Sequence, residues 1–404
     1  MWQTCHMSRV TRHFYDKGLF YMQSIWAEID LSAISHNINT IRSAVPPKTR
    51  VMAVVKANAY GHGAVEVART AIGSGADWLG VARIDEALLL RQAGIDAPIL
   101  VFGFTPFEQV NQLVDMDLTQ AVFSFEQAEM LSQALNPASG KLKIHIKTDT
   151  GMGRLGVMST GFKLSSLGKF LGAHFLREIE SIVNLPGIDA EGIFTHFASA
   201  DHADKTDSHQ QLSLFLELID HLKRMGIEFH LHHAANSAAT LEIPESHLDM
   251  VRPGIALYGC YLPTRPFPEG VSFRPALALK TRIIHIKKVP KDFPVSYDHT
   301  WRTSVTTRIA TVPAGYADGL SRQLSSRGFM LIHGVKVPIV GRVCMDLTML
   351  DIGSLPDARM NDEVVILGTQ KTVRITANDI AKQIDTISYE ILTSVSARVP
   401  RIYI

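Results

Sequence analysis

Between Arg50 and about Gly259 the chain repeats one rhythm, a short apolar run followed by a stretch with helical spacing. Short apolar runs bounded by small or polar residues suit strands covered on both faces. The helical stretches supply the crossovers that parallel strands require. The candidate strands are Arg50–Lys56, Trp78–Ala82, Ile99–Phe102, Thr119–Phe123, Lys143–Thr148, Ala190–His196, Phe229–Ala234 and Asp249–Arg252. Helical patterns such as Ala64–Ile72, Asp85–Gln92 and Gln210–Lys223 lie between them. Eight such βα units over about 210 residues predict an α/β fold of the (β/α)8 TIM-barrel type. An open doubly wound sheet is the alternative, because closure leaves no mark on a sequence.

After Gly259 the texture changes. Tyr261 to Pro275 carries four prolines and reads as a linker. Beyond it β-branched runs dominate: Thr281–Val289, Ile309–Val312, Met330–Ile332, Lys336–Val340 and Glu363–Leu367. They predict a mostly antiparallel β domain. The expected organisation is an N-terminal extension over 1–24, a barrel over 25–260 and a β domain over 261–404. The first strand residues of the barrel segment are the ones that could instead pack on the β domain.

At 404 residues the chain is long enough for two domains. A hydrophobic fraction of 46% and a charged fraction of 20% fit a soluble globular enzyme. A net charge of +1, with no basic run, points away from nucleic acid. No stretch approaches the roughly 20 apolar residues of a membrane span. Cys5, Cys260 and Cys344 are too few and too scattered for a disulfide framework or a zinc site, which fits a reducing, cytoplasmic setting. The first 23 residues lack an apolar signal core and are expected to be disordered or to precede an internal start at Met7 or Met22.

Polar residues recur where barrel chemistry sits, at the C-terminal ends of strands. Lys56 closes the run VMAVVK, and lysine is the side chain that forms Schiff bases with carbonyl cofactors. Lys147 and Arg154 follow the fifth run within KTDTGMGR, where a guanidinium fork suits a carboxylate. His196 ends the sixth run, Asn236 and Ser237 follow the seventh, and Arg252 ends the eighth. Gly254 and Ile255 open a candidate helix whose first N–H groups could meet phosphate. Taken singly, each has an ordinary structural reading, a solvated lysine or a satisfied core histidine. Strand alternation puts His230 and His232 on one face and His233 on the other, which argues against a metal cluster.

The segments AVVKANAYGHGA, KTDTGMGRLG, FTHF, HAANSAA, VRPGIALYG, VSY, GYADG, GRVCMD and SYE stand in one order over about residues 25–404. Together they closely resemble the alanine racemases. The resemblance implies pyridoxal 5′-phosphate held on Lys56, with Tyr60, His196, Ser237, Arg252, Gly254, Ile255 and Tyr389 as cofactor-binding residues. It implies Arg252 at the pyridine nitrogen, His196 hydrogen-bonded to that arginine, and Tyr60 and Tyr389 at the phosphate. It implies Arg154 and Met345 as substrate-binding residues, Tyr316 as a gate, and Lys147, often carbamylated in the family, bracing Arg154. Lys56 and Tyr297 would be the two bases, acting on D- and L-alanine respectively, and Tyr297 and Met345 would come from the partner in a homodimer. The D-alanine would serve peptidoglycan synthesis. A tyrosine base requires neighbouring positive charge or donors that favour phenolate. One departure is Asp298, beside Tyr297, where many members carry glycine. A broader-specificity racemase and a non-catalytic cofactor-homeostasis protein are the alternatives. A related decarboxylase would instead require an acidic partner at the pyridine and a catalytic cysteine.

Overall fold

The computed structural model describes residues 23–158, 173–261 and 271–404. All but the last two residues of the expected N-terminal extension, and most of the proline-rich linker, therefore lie outside the described residues. The described residues form two compact units, one within Asp30–Ala276 and one joining residues 23–29 to Leu277–Ile404.

After β1 (Ile25–Ile29), the first unit contains β2 (Arg50–Val54), β3 (Trp78–Val81), β4 (Ile99–Val101) and β5 (Leu118–Val122). It continues with β6 (Leu142–Lys147), β7 (Ile188–Phe194), β8 (Leu231–His233) and β9 (Met250–Val251). These eight strands form one sheet in the order β8-β7-β6-β5-β4-β3-β2-β9, and every ladder is parallel. Between β8 and β9 the ring is completed by loop bonds. Asp249 N–H donates to His232 O at 3.1 Å and Arg252 N–H to Ala235 O at 2.9 Å. The sheet is thus a barrel and not an open sheet. Met52, Trp78, Leu100, Ala121, Phe194, Leu231 and Met250 pack into one buried cluster, drawn from seven of the strands. Fully burying side chains of this size stabilises by about 1.5–3 kcal/mol each. Intervening helices such as Ala64–Gly73, Ile84–Gln92 and Thr206–Arg224 occupy the stretches read as helical.

The second unit contains β10 (Leu277–Arg282), β11 (His285–Val289), β12 (Pro294–Val295), β13 (Trp301–Arg302), β14 (Thr307–Val312) and β15 (Phe329–Ile332). It closes with β16 (Val335–Pro338), β17 (Thr348–Asp351), β18 (Glu363–Gln370), β19 (Val373–Ile375) and β20 (Arg401–Tyr403). One sheet runs β16-β15-β18-β10-β1-β20, with β19 on β18; a second runs β11-β14-β17. All ladders of this unit are antiparallel except β1 with β20.

The unit boundaries differ from the expected 25–260 and 261–404 for two reasons. Ile25–Ile29 pairs with Leu277–Thr281, so the first strand lies in the β unit. Residues up to Ala276 stay with the barrel because buried Asn37 bonds Arg274 O through its Nδ2 and Arg274 N–H through its Oδ1, both at 2.8 Å. The run Thr281–Val289 is not one strand. It breaks at Ile283–Ile284 and feeds β10 and β11 into different sheets.

Candidate active site

Lys56 lies two residues beyond the end of β2, on a turn of unusual backbone. Ala57, Asn58, Ala59 and Tyr60 have φ of 52°, 53°, 52° and 52°. Left-handed backbone costs an L-residue about 1–2 kcal/mol, so four in succession persist only if the surroundings hold them. Ala59 N–H donates to Val55 O at 2.8 Å and Gly61 N–H to Ala57 O at 3.0 Å. Asn58 Oδ1 accepts from Ala64 N–H at 2.9 Å. The carboxylate of Glu86 takes Ala57 N–H at 2.6 Å on one oxygen and Ala82 N–H at 2.7 Å on the other. The turn thus fixes a half-buried Lys56 at the barrel mouth. Burial, and then the charge of Arg154, lower the pKa of its amine.

Lys147 ends β6 and donates from Nζ to Leu155 O at 2.8 Å. Its pKa is lowered to about 8, first by burial and then by Arg154. The loop carrying Arg154 is shaped by Asp149. One oxygen accepts the N–H of Gly151, Met152 and Gly153 at 2.9, 2.8 and 3.1 Å, and the other that of Arg154 at 3.2 Å. Burial opposes ionisation of Asp149, but these donors outweigh it and hold the carboxyl below its ordinary range.

Arg252 is buried at the end of β9. Its Nη2 donates to Thr195 O at 2.8 Å and Ala234 O at 3.1 Å, and lies 3.3 Å from His196 Nδ1. Its Nη1 lies 2.8 Å from His233 Nδ1. Burial lowers the pKa of Arg252 to about 9. His196 is held far below the usual imidazole range by burial and then by Arg252, Arg154, Lys147 and Lys56. Four cations therefore bear on one point of the rim. Ser237 Oγ accepts from Gly254 N–H at 2.8 Å and Ala256 N–H at 3.2 Å. The Gly254 N–H, expected to be open to phosphate, is thus turned to Ser237. A Cβ on Gly254 would come within 2.6 Å of the Tyr60 hydroxyl, so only glycine leaves this approach open. The structure brings together Lys56, Tyr60, Lys147, Arg154, His196, Ser237, Arg252, Gly254 and Ile255.

The remaining site candidates lie on the β unit. Tyr297 is 69% exposed and Met345 is 54% exposed. Their loops interlock. Ser296 Oγ donates to Arg342 O at 2.7 Å, and Ala317 N–H donates to Met345 O at 3.0 Å. Gly341 has φ 73°, and a Cβ there would meet Val295 O at 2.6 Å, so the glycine of GRVCMD lets the two loops close up. Asp318 binds Arg398, which also binds Asp346, each at 2.7 Å. Tyr389 sits in the short helix Ser388–Thr393, half-exposed on the same unit.

The sequence model described as "Alanine racemase, N-terminal domain" matches residues 29–262, and that described as "Alanine racemase, C-terminal domain" matches 276–403. The chain belongs to the alanine racemase family. An alanine racemase of Desulfosudis oleivorans is 50% identical over 94% of this chain and 96% of its own length. One of Methanococcus maripaludis is 46% identical over 94% of this chain and 98% of its own. The alanine racemase of Bacillus anthracis, solved with bound L-Ala-P, superposes with a TM-score of 0.87 at 39% identity, covering 95% of each chain. That of Clostridium difficile 630 gives 0.87 at 37%, over 95% of this chain and 96% of its own.

Within this racemase fold, sequence reasoning missed the residues that brace the rim. Glu86 and Asp149 hold the two loops, yet each reads as an ordinary helix-start or turn carboxylate. Alternation puts His233 on the strand face opposite His232, but its contact with Arg252 requires the barrel. Asp298 has φ 59°, a conformation that glycine adopts freely and aspartate tolerates, and its Oδ2 lies 3.4 Å from Arg342 Nε. The turn thus accepts aspartate at this position.

Proposed function

We propose that Lys56 and Tyr297 are the two bases of alanine racemisation, with Arg154 and Met345 binding the substrate carboxylate. The activity is the interconversion of L- and D-alanine that gives the family its name, a pyridoxal 5′-phosphate-dependent isomerisation. The observation that carries the residue assignment is the rim itself. A half-buried lysine of lowered pKa sits on a strained turn among three further cations. Such a rim fits an anionic cofactor, and the Tyr60 and Ser237 hydroxyls, both packed against Gly254, suit its phosphate. Lys56 would hold the cofactor; Tyr60, Ser237, Ile255 and Tyr389 would hold its phosphate, joined by the Gly254 N–H once Ser237 Oγ releases it; and Arg252, propped by His196, would face its ring nitrogen. When bound, the cofactor withdraws electrons from the amino acid and acidifies its Cα–H.

The chain's own groups do the rest. One face of Cα needs one base and the opposite face another, since a single base cannot serve both without moving. Lys56, whose pKa burial and Arg154 lower, can take or return the D-side proton. Tyr297 would serve the L-side. Lys147, at about 8, is partly neutral near physiological pH, the state that carbamylation requires. Arg252 keeps a fixed positive charge at the ring nitrogen, which disfavours side reactions such as transamination.

Tyr297 and Met345 are exposed on the β unit, which supports a homodimer in which a partner's rim covers them. Cytoplasmic placement and supply of D-alanine for peptidoglycan complete the proposal. Among the described residues no helix is long and apolar enough to cross a membrane. The test is solvent-deuterium exchange at Cα of L- and D-alanine, with serine and lysine as comparators, beside borohydride trapping. Exchange with alanine above the others and a pyridoxyl label on Lys56 are expected. Label on another lysine, or equal exchange with all substrates, rejects the reading.

A further inference from the structure

A chain of side chains runs from Arg252 into the body of the barrel. Arg252 Nη1 meets His233 Nδ1 at 2.8 Å, and His233 Nε2 meets His145 Nδ1 at 2.8 Å. His145 Nε2 has no hydrogen bond of ordinary geometry, and Glu191 Oε1 faces it at 3.4 Å. Glu191 Oε1 also accepts from the Thr119 hydroxyl at 2.8 Å. Arg252, His233 and His145 are all buried. Burial foremost lowers the pKa of both histidines, which disfavours the doubly protonated ring.

The chain has a direction. A guanidinium only donates, so His233 Nδ1 must accept and its proton sits on Nε2. That N–H points at His145 Nδ1, which therefore accepts and leaves its own proton on Nε2, toward the carboxylate. The backbone builds room for this arrangement. A Cβ on Gly192 would approach His145 Cδ2 to 2.6 Å, so only glycine admits the ring. Along β6 and β7 the register slips at this point: Ile144 faces Ala190 and His145 faces Gly192, leaving Glu191 as the extra residue. Bulges of this kind re-aim a side chain. The ring of His233 lies flat on Phe194, with centroids 4.8 Å apart and planes 3° apart, which fixes its orientation.

We propose that Glu191 is a positioning residue for Arg252. Its carboxylate fixes the tautomers of His145 and His233, so that His233 offers Arg252 a lone pair. The opposite tautomer would set N–H against N–H at 2.8 Å and push the guanidinium out of place. The proposal rests on the reading above, in which Arg252 faces the cofactor's ring nitrogen.

The test uses holoprotein carrying nitrogen-15 histidine. Magnetic resonance should show Nε2–H on both His145 and His233. Glu191→Gln offers an amide N–H in place of a carboxylate oxygen. It should mix the tautomers, lower kcat about tenfold, the smaller end of the range for lost second-layer partners, leave KM for alanine unchanged, and raise pyruvate formed per turnover. Thr119→Val keeps the carboxylate and should change neither tautomers nor kcat. Nδ1–H on either histidine of the unaltered protein overturns the proposal, even should Glu191→Gln fail to fold. Unchanged tautomers in Glu191→Gln, or equal effects of both variants, overturn it too. A protein with the expected tautomers that makes no D-alanine would leave the side-chain relay standing and reject the racemase reading instead.

Discussion

The turn at Lys56 and the turn at Tyr297 share left-handed backbone but differ in what holds them. The first runs through Ala57, Asn58, Ala59 and Tyr60 without a glycine; the second places Ser296, Asp298 and His299 at φ of 67°, 59° and 46°. Around Lys56 the strain is opposed from several sides, by Glu86, by Asn58 and by buried Ala59 and Tyr60. Around Tyr297 the support is thinner, Ser296 on Arg342 O and the ion pair of Asp298 with Arg342, and Tyr297 itself faces outward. The contrast teaches where pre-organisation resides. The lysine side is complete within its own unit, whereas the tyrosine side presents its residue for something else to cover.

Removing one base at a time separates the two turns by what each does in the reaction. Tyr297→Phe should abolish net racemisation yet still exchange the Cα proton of D-alanine. Each lost base should lower its own half-reaction by about 10²–10⁴. Equal loss for both enantiomers, with cofactor still bound, would defeat the two-base assignment. Mixing inactive Lys56→Ala and Tyr297→Phe chains should then restore part of the activity. In a mixed dimer with composite sites, one site regains both bases. Exchanged dimers that stay inactive would place Tyr297 in the same chain as its lysine, or remove it from the chemistry.

How much of this was legible in the sequence differs by kind of signal. The strands of the barrel were readable because parallel strands are continuously apolar, and they were found to within two or three residues. The rim residues Lys56, Arg154 and Arg252 were readable from long motifs and from their position at strand ends. The left-handed turn was not, because Lys-Ala-Asn-Ala-Tyr contains no glycine to announce it and alanine favours right-handed helix. Glu191 was hidden for another reason. A bulge adds one residue to the alternation of β7, and a period-two reading then points the side chain the wrong way. Ile25–Ile29 was readable as a strand open to either unit, and its pairing with β10, a contact between residues about 250 apart, places it in the β unit.

The middle-sized test concerns the brace under Lys56. Glu86→Gln replaces a carboxylate that accepts from Ala57, Ala82 and Arg83. An amide can turn only one oxygen to these three donors. Hydrogen bonds to a charged group are worth about 1.5–3 kcal/mol each, so a loss of about 2 kcal/mol is expected. In a unit of this size that lowers Tm by roughly 4–8 °C. The charge of Glu86 also raises the pKa of Lys56, so its removal should lower that pKa further. Unchanged unfolding would mean that the turn holds its left-handed form without Glu86, and the contrast between the two turns would weaken.

The smallest expected effect is at Asp298, where three modest terms compete. Glycine would relieve left-handed strain of about 1 kcal/mol, less than for most residues because aspartate tolerates this region. It would also free the unfolded chain by about 0.4–1 kcal/mol, which acts against stability. Losing the exposed pair with Arg342 costs about 0–1 kcal/mol more. The sum is near zero, so Asp298→Gly should shift the urea midpoint little. Asp298→Ala loses the same pair and gains nothing in return, because alanine pays the full left-handed penalty. Set against the about 0.4–1 kcal/mol by which glycine frees the unfolded chain, that penalty of about 1–2 kcal/mol leaves the alanine variant roughly 1 kcal/mol less stable than the glycine variant. The ordering matters more than either value. If alanine proves as stable as glycine there, the turn beside Tyr297 is not held left-handed in solution, and the likeness of the two turns fails at its exposed end.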